Sequence, residues 1–317
     1  MAYFDVFNGD ADGICALQQL RLEDPRESIL VTGVKRDIGL LARVDAGAGD
    51  TVTALDISLD KNRDAVLGLL ERGAKVRYFD HHYPGELPEH AALDLHIETF
   101  PDKGTSLLVD EYLQGRHRAW ATVGTFGDNF DESARRAAEP LGLSGEQLES
   151  LRELGIYLNY NGYGAQVEDL HVPPDLLFQK VSPYADPLDF IAADDTFALL
   201  RDGFAGDMAR ARAVAPELND ARHALYVLPA EPWARRVGGV FANELARTAP
   251  EHAHAMLTRL PSGGFVVSVR APLATKDGAD TLCRQFPTGG GRKAAAGIND
   301  LPDSAYDAFV RAFVAAF

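Results

Sequence analysis

Three short apolar runs in the first 80 residues end in aspartate: the run through Phe7-Asn8-Gly9-Asp10-Ala11-Asp12-Gly13, Thr53-Ala54-Leu55-Asp56, and Val76-Arg77-Tyr78-Phe79-Asp80-His81-His82. Between them the spacing turns helical. Ile14–Leu22 sets Ile14, Leu17, Leu20 and Leu22 for a buried face, and Ala65–Leu70 reads as a helix that Gly73 stops. Ser28–Val34 and Lys75–Phe79 read as further strands. Strands separated by helices predict an α/β domain with a mostly parallel, doubly wound sheet. In such a sheet ligands bind beyond the carboxyl ends of the strands, so the aspartates and the two histidines would surround one crevice. Asp10 and Asp12 are two apart, and in an extended segment both side chains point the same way. A fourth acidic motif follows a further apolar stretch at Gly124-Thr125-Phe126-Gly127-Asp128.

At 317 residues the chain is long enough for two domains of about 150 residues each. The stretch 131–225 reads helical, with Ser144-Gly145-Glu146-Gln147 as a helix start. From about 226 strands return, followed by a glycine-rich segment and a terminal helix. We therefore expect an α/β domain over 1–200, a helical linker over 201–228, and a smaller α/β domain over 229–317, with a cleft between the two domains.

The net charge is −16, and residues 226–317 carry 10 basic and 8 acidic residues against 21 and 39 in the remainder. So acidic a chain is a poor match for long nucleic acid, whose backbone calls for a basic surface. No apolar run reaches the length of a membrane span, and Asp5 interrupts the N-terminal run, which is unlike a signal peptide. Cys15 and Cys283 form no disulfide framework. These features predict a cytoplasmic location.

Four or more carboxylates in one cleft repel one another and lose hydration, and protonation or a metal ion relieves this. Oxygen ligands with one or two imidazoles and no thiolate suit Mn²⁺ or Mg²⁺. Any single aspartate of the set could be a helix cap, and Asp24, Asp37 and Asp60 read that way. His90, His96, His117, His171 and His223 have no such context. Several aspartates at successive strand ends, with Asp-His-His at one of them, are not explained by capping.

In their order, Asp10-x-Asp12-Gly13, Asp56, Asp80-His81-His82 and Asp128 resemble the four motifs of the DHH phosphoesterase superfamily. Thr105-Ser106 followed by Leu107–Leu113 is similar to that family's helix between its third and fourth motifs. Gly289-Gly290-Gly291-Arg292-Lys293-Ala294-Ala295-Ala296-Gly297 resembles the glycine loop of the DHHA1 domain, and Val267-Ser268-Val269-Arg270 its strand with a phosphate-contacting arginine. The resemblance implies that Asp56 bridges two ions, with Asp10 on one and Asp12, His81 and Asp128 on the other. It implies that His82 faces the phosphate and that Asp80 orients the histidines, both within the catalytic machinery. It also implies that substrate phosphate meets Arg270, the backbone of Gly289, Gly290 and Gly291, and Arg292.

Two positions depart from the family pattern. Val6 stands where the family has a histidine four residues before the first aspartate, which weakens one of the two ion sites. Arg292 stands where the glycine loop has its histidine. The expected function is hydrolysis of a small phosphorylated substrate by metal-activated water. That substrate would be a short oligonucleotide, a dinucleotide or a nucleoside bisphosphate. The rival is a degenerate relative that binds nucleotides or nucleic-acid fragments without cleaving them. No long duplex and no membrane is expected as partner, and a homodimer is compatible with this reading. Tyr157–Gly164, with its aromatics and amides, reads either as a cleft lining or as a helix end with buried tyrosines.

Overall fold

Apolar and β-branched residues give the strands β1 (Tyr3–Phe7), β2 (Ile29–Val31), β3 (Thr51–Leu55), β4 (Lys75–Asp80) and β5 (Leu93–Ile97). In this computed structural model, which describes residues 1–317, they form one sheet in the order β2-β1-β3-β4-β5 with every pair parallel. Helices α1 (Ala11–Glu23) and α2 (Leu59–Glu71) provide the crossovers β1 to β2 and β3 to β4. The strand order reverses about β1, so the crevice beyond the ends of β1 and β3 is the topological switch point.

The first unit, Met1–Asp202, continues through α3 (Thr105–Tyr112), α4 (Arg118–Gly127), α5 (Asp131–Ala138), α6 (Gly145–Asn161), α7 (Pro174–Val181) and α8 (Pro187–Ala193). A capping box starts α6: the Ser144 hydroxyl accepts from Gln147 N–H, and Gln147 Oε1 accepts from Ser144 N–H. Helix α1 is buried on all sides from Ala11 to Leu20, because helices cover the face that the sheet does not. Its apolar spacing shows only part of that burial. Val6 is fully buried among Phe4, Val52, Ala54 and Leu69 in the apolar cluster beneath the sheet, so this position contributes nothing polar.

The unit boundary falls within α9 (Asp195–Arg212). The second unit, Gly203–Phe317, contains β6 (Leu218–Asn219), β7 (His223–Leu228), α10 (Pro232–Thr248), β8 (Ala253–Arg259) and β9 (Phe265–Arg270). There follow α11 (Ala279–Cys283), β10 (Gly289–Gly291), β11 (Ala295–Leu301) and α12 (Tyr306–Ala316). Its sheet runs β10-β11-β9-β8-β7-β6, antiparallel except for the β7–β8 pair that α10 joins. The stretch expected as a helical linker over 201–228 is thus helical only to Arg212. His223–Leu228 is a strand, since alternate apolar residues there complete the second sheet and its core.

The glycine triple also differs from the expected loop. Gly289–Gly291 is an edge strand paired with Ala296–Ile298, and the chain reverses at Arg292–Ala295, whose backbones exchange two hydrogen bonds of 2.9 and 3.1 Å. A side chain on Gly289 would start 1.8 Å from the Cys283 carbonyl oxygen, whereas one on Gly290 would meet nothing within 4 Å. Close packing therefore demands the first glycine. The second leaves open space beside the edge strand.

Candidate functional site

Parallel pairing sets the ends of three strands side by side: Phe7 is level with Leu55, and Leu55 with Phe79. The register continues past the strands, where Asn8 N–H donates to Leu55 O and Asp56 N–H to Phe79 O. Asp10, Asp56 and Asp80 consequently emerge at one edge of the sheet. Asp56 adopts φ +58°, and Asn129, which follows Asp128, φ +65°. Such left-handed backbone at non-glycine residues is strained and concentrates where a side chain must be aimed.

The two aspartates of the first motif are not in one extended segment. Asp10 is extended and caps α1, its Oδ1 accepting from Asp12 N–H (3.0 Å) and Gly13 N–H (3.1 Å), while Asp12 already lies in the first turn. The helix begins between them because the Asp10 carboxylate satisfies the free N–H groups there. Asp12 instead meets the start of α3, where it accepts from Thr105 N–H at 2.6 Å and Ser106 N–H at 2.8 Å. A side chain on Gly104 would press to 2.8 Å from Asp12 Oδ2, so the close docking of that helix end requires glycine.

Around this core stand the two histidines. His81 Nε2 is 3.5 Å from Asp56 Oδ1 and 3.7 Å from Asp128 Oδ2. His82 Nδ1 lies 2.7 Å from Asp80 Oδ1 and 4.0 Å from Asp56 Oδ1. Thr105 Oγ1 donates to Asp56 Oδ1 at 3.0 Å. Two sets of three donors are close enough to share an ion: Asp56, His81 and His82, and Asp12, His81 and Asp128. Both contain only oxygen and imidazole nitrogen, a donor chemistry suited to Mn²⁺ or Mg²⁺. Asp10 belongs to neither set.

A residue that sequence reasoning missed engages it instead. Lys35 extends its ammonium to 2.6 Å from Asp10 Oδ2, 3.2 Å from Asp128 Oδ1 and 2.9 Å from Asn159 Oδ1. It can do so because β2 ends at Val31, short of the expected Val34, and the chain then turns inward, with Lys35 N–H donating to Gly162 O at 2.8 Å. Nothing local marks this lysine; two of its three partners lie 93 and 124 positions away. The segment Tyr157–Gly164 is divided in its roles. Asn159 faces Lys35, Asn161 is bonded to His171 and Val172, and Tyr160 is fully buried.

The charges respond to this arrangement. Burial pushes the Asp56 carboxyl well above the ordinary range, and Asp10, Asp12, Asp128 and Asp80 push it further. Burial also raises Asp128; Lys35 opposes this without cancelling it. For Asp10 burial acts upward too, but the Lys35 ammonium and the Gly13 N–H hold it below its usual value. Burial disfavours the Lys35 charge, yet Asp10, Tyr163 and Asp128 keep it well above the ordinary lysine value. For His82 burial is outweighed by Asp80, so the imidazole is raised. The carboxylates therefore remain in excess of the fixed positive charge, the condition that a divalent ion relieves.

The remaining residues singled out in the sequence lie in the second unit. Arg270 ends β9 and donates from Nε to Asn243 Oδ1 at 2.7 Å. Arg292 is exposed at the turn after the edge strand formed by Gly289, Gly290 and Gly291. A cavity of about 990 Å³ opens elsewhere, lined by the strand starts Tyr3, Thr51, Lys75 and Leu93 and by none of the site carboxylates.

A five-stranded parallel sheet with acidic motifs at its ends, followed by a mixed sheet with a glycine edge, is the fold of a DHH domain with a C-terminal DHHA1 domain. Solved structures bear this out. The chain is similar to the exonuclease RecJ bound to manganese (TM-score 0.62, 17% identity, covering 99% of this chain and 89% of that one). It is similar to the DHH domain of a member of the s1p family of ribosomal proteins (0.68, 12%, 99% and 86%). It is also similar to the pGpG-specific phosphodiesterase PggH from Vibrio cholerae (0.56, 12%, 100% and 100%). No family model and no curated protein matches the chain. No helix is long and apolar enough to cross a membrane.

Proposed function

We propose that this protein is a cytoplasmic, Mn²⁺- or Mg²⁺-dependent phosphoesterase that hydrolyses a small phosphorylated nucleotide. A short oligonucleotide, a dinucleotide or a nucleoside bisphosphate fits the acidic chain better than a long duplex does. The observation that carries the reading is the meeting of Asp12, His81 and Asp128 with Asp56 and His82 at the strand ends. The likeness to RecJ, an exonuclease seen with manganese, and to a pGpG phosphodiesterase supports it.

Asp12, His81 and Asp128, or Asp56 with the histidines, would hold the metal. When bound, a divalent ion supplies a water of lowered pKa and neutralises phosphoryl oxygens. The chain's own groups do the rest. Asp80 holds His82 by Nδ1, which leaves Nε2 to hydrogen-bond the substrate phosphate or hand it a proton. Thr105 and the strained backbone of Asp56 aim that carboxylate. Arg270 and Arg292 would bind substrate anions, and the open space at Gly290 would admit a phosphate against the edge-strand backbone.

The test is Mn²⁺-dependent turnover of pApA, cyclic di-AMP, adenosine 3′,5′-bisphosphate, pyrophosphate and an aryl phosphodiester, with Asp56→Ala alongside. Turnover by the wild type that the variant loses by at least about a thousandfold supports the reading. Equal turnover in both overturns it. One observation favours a second reading, a protein that binds nucleotides without cleaving them: Lys35 already engages Asp10. Tight nucleotide binding with no turnover on any substrate would select it.

A further inference from the structure

We propose that the Lys35 ammonium takes the place of one of the two cations for which the carboxylates are arranged, so that this chain holds a single divalent ion. The inference rests on the phosphoesterase reading and deepens it.

Both oxygens of Asp10 already have partners, one of them a cation. Its Oδ1 accepts two N–H groups at the start of α1, and its Oδ2 is 2.6 Å from Lys35 Nζ. The ammonium is itself fully occupied. Its three hydrogens face three acceptors from three parts of the chain, Asp10, Asp128 and Asn159. The lysine is held in place by its backbone as well, since its N–H donates to Gly162 O and its own carbonyl accepts from Asn8 Nδ2 at 3.3 Å.

Asp128 stands in the relation of a bridging ligand. Oδ1 faces the ammonium at 3.2 Å, while Oδ2 faces His81 Nε2, a member of the donor set Asp12, His81 and Asp128. One carboxylate thus links a fixed cation to a metal-binding group, as a shared carboxylate links two ions in a dinuclear centre. The other donor set cannot fill independently, because it uses the same imidazole. His81 Nε2 faces both Asp56 and Asp128, and one nitrogen lone pair ligates one ion. His82 Nδ1, 4.0 Å from Asp56 Oδ1, is already bonded to Asp80. A covalently tethered charge offsets part of the repulsion between Asp10 and Asp128 at every metal concentration, whereas a second ion would dissociate.

The experiment loads the wild type, Lys35→Ala and Lys35→Arg with Mn²⁺, removes free metal by desalting, and measures manganese per chain together with the low-temperature electron paramagnetic resonance spectrum. The expected result is about one ion per chain, with an uncoupled signal, in the wild type and in Lys35→Arg. In Lys35→Ala the content rises to about two, with the spectrum of an exchange-coupled pair. Two coupled ions in the wild type overturn the proposal and leave the phosphoesterase reading intact, as does a folded Lys35→Ala that still holds one. No ion in the wild type overturns both. The wild-type measurement decides the matter even if the alanine variant does not fold.

Discussion

Thr105 donates its backbone N–H to Asp12 Oδ2 across 2.6 Å, which makes one carboxylate both the anchor of a helix start and a member of the candidate metal set. The Ser106 N–H adds a second bond to the same side chain. Asp12 therefore has a structural role that does not depend on metal, as does Asp10, which caps α1.

Replacing Asp12 by alanine should destabilise the metal-free protein. Two buried N–H groups at the start of α3 would lose their acceptor, at about 1–3 kcal/mol for such groups. Urea unfolding in the presence of a chelator measures this, and an unchanged midpoint would contradict the anchoring role.

Asp56 should behave in the opposite way. Its folded-state pKa is raised by burial and by four neighbouring carboxylates, so the protonated form is the one the fold favours. That contribution is fully present below the unfolded value near 3.9 and is lost as pH rises through the folded value. Asp56→Asn imitates the protonated carboxyl, tolerates the left-handed backbone and keeps an acceptor for Thr105. The metal-free variant should be more stable than the wild type at neutral pH, on the order of 1 kcal/mol or more. The gain should shrink as pH falls towards 4; thermal unfolding in chelator across that range tests the sign.

Mn²⁺ should raise the unfolding temperature of the protein, since an ion at about 100 times its dissociation constant adds about 2.7 kcal/mol. His81→Ala removes the imidazole common to both donor sets and should abolish the shift. Calorimetry with and without chelator would show this, and a full shift in the variant would place the ion elsewhere.

Gly289→Ala should destabilise the second unit by about 2–3 kcal/mol or more, because the new methyl would collide with a backbone carbonyl rather than with a movable side chain. Gly290→Ala should leave stability nearly unchanged and, if substrate lies against the edge strand, raise KM. Unfolding midpoints and substrate titration separate the two.

Neither cysteine should react with a thiol reagent in the native protein at pH 8. Both are buried, and burial, helped by Asp280, pushes the Cys283 thiol up to about 12. Burial, with Asp12 and Asp10, also raises Cys15 well above its ordinary value. Rapid labelling before unfolding would show that one of these sites opens.

The strand-helix alternation and the aspartates at the ends of β1, β3 and β4 were legible in the sequence. Period-two apolar runs, glycines and caps act over a few residues and leave a local signature. The parallel order of that sheet followed from the same pattern. The division between Asp10 and Asp12 was less legible, because it depends on where α1 starts and on α3 arriving to meet Asp12. The helical reading of 201–228 failed at His223–Leu228 for a related reason: a six-residue apolar run has no fixed identity until it finds β8 beside it.

The sequence by itself determined which residues could hold a cation, since donor type and position at strand ends are local properties. Only the tertiary structure decided how those donors are shared. Lys35 reaches Asp10 because β2 is cut short, and it reaches Asp128 and Asn159 because α4 and α6 end at the same crevice. An ammonium and three oxygens brought together from segments far apart in the chain attract one another only once packing has excluded water and set their distances.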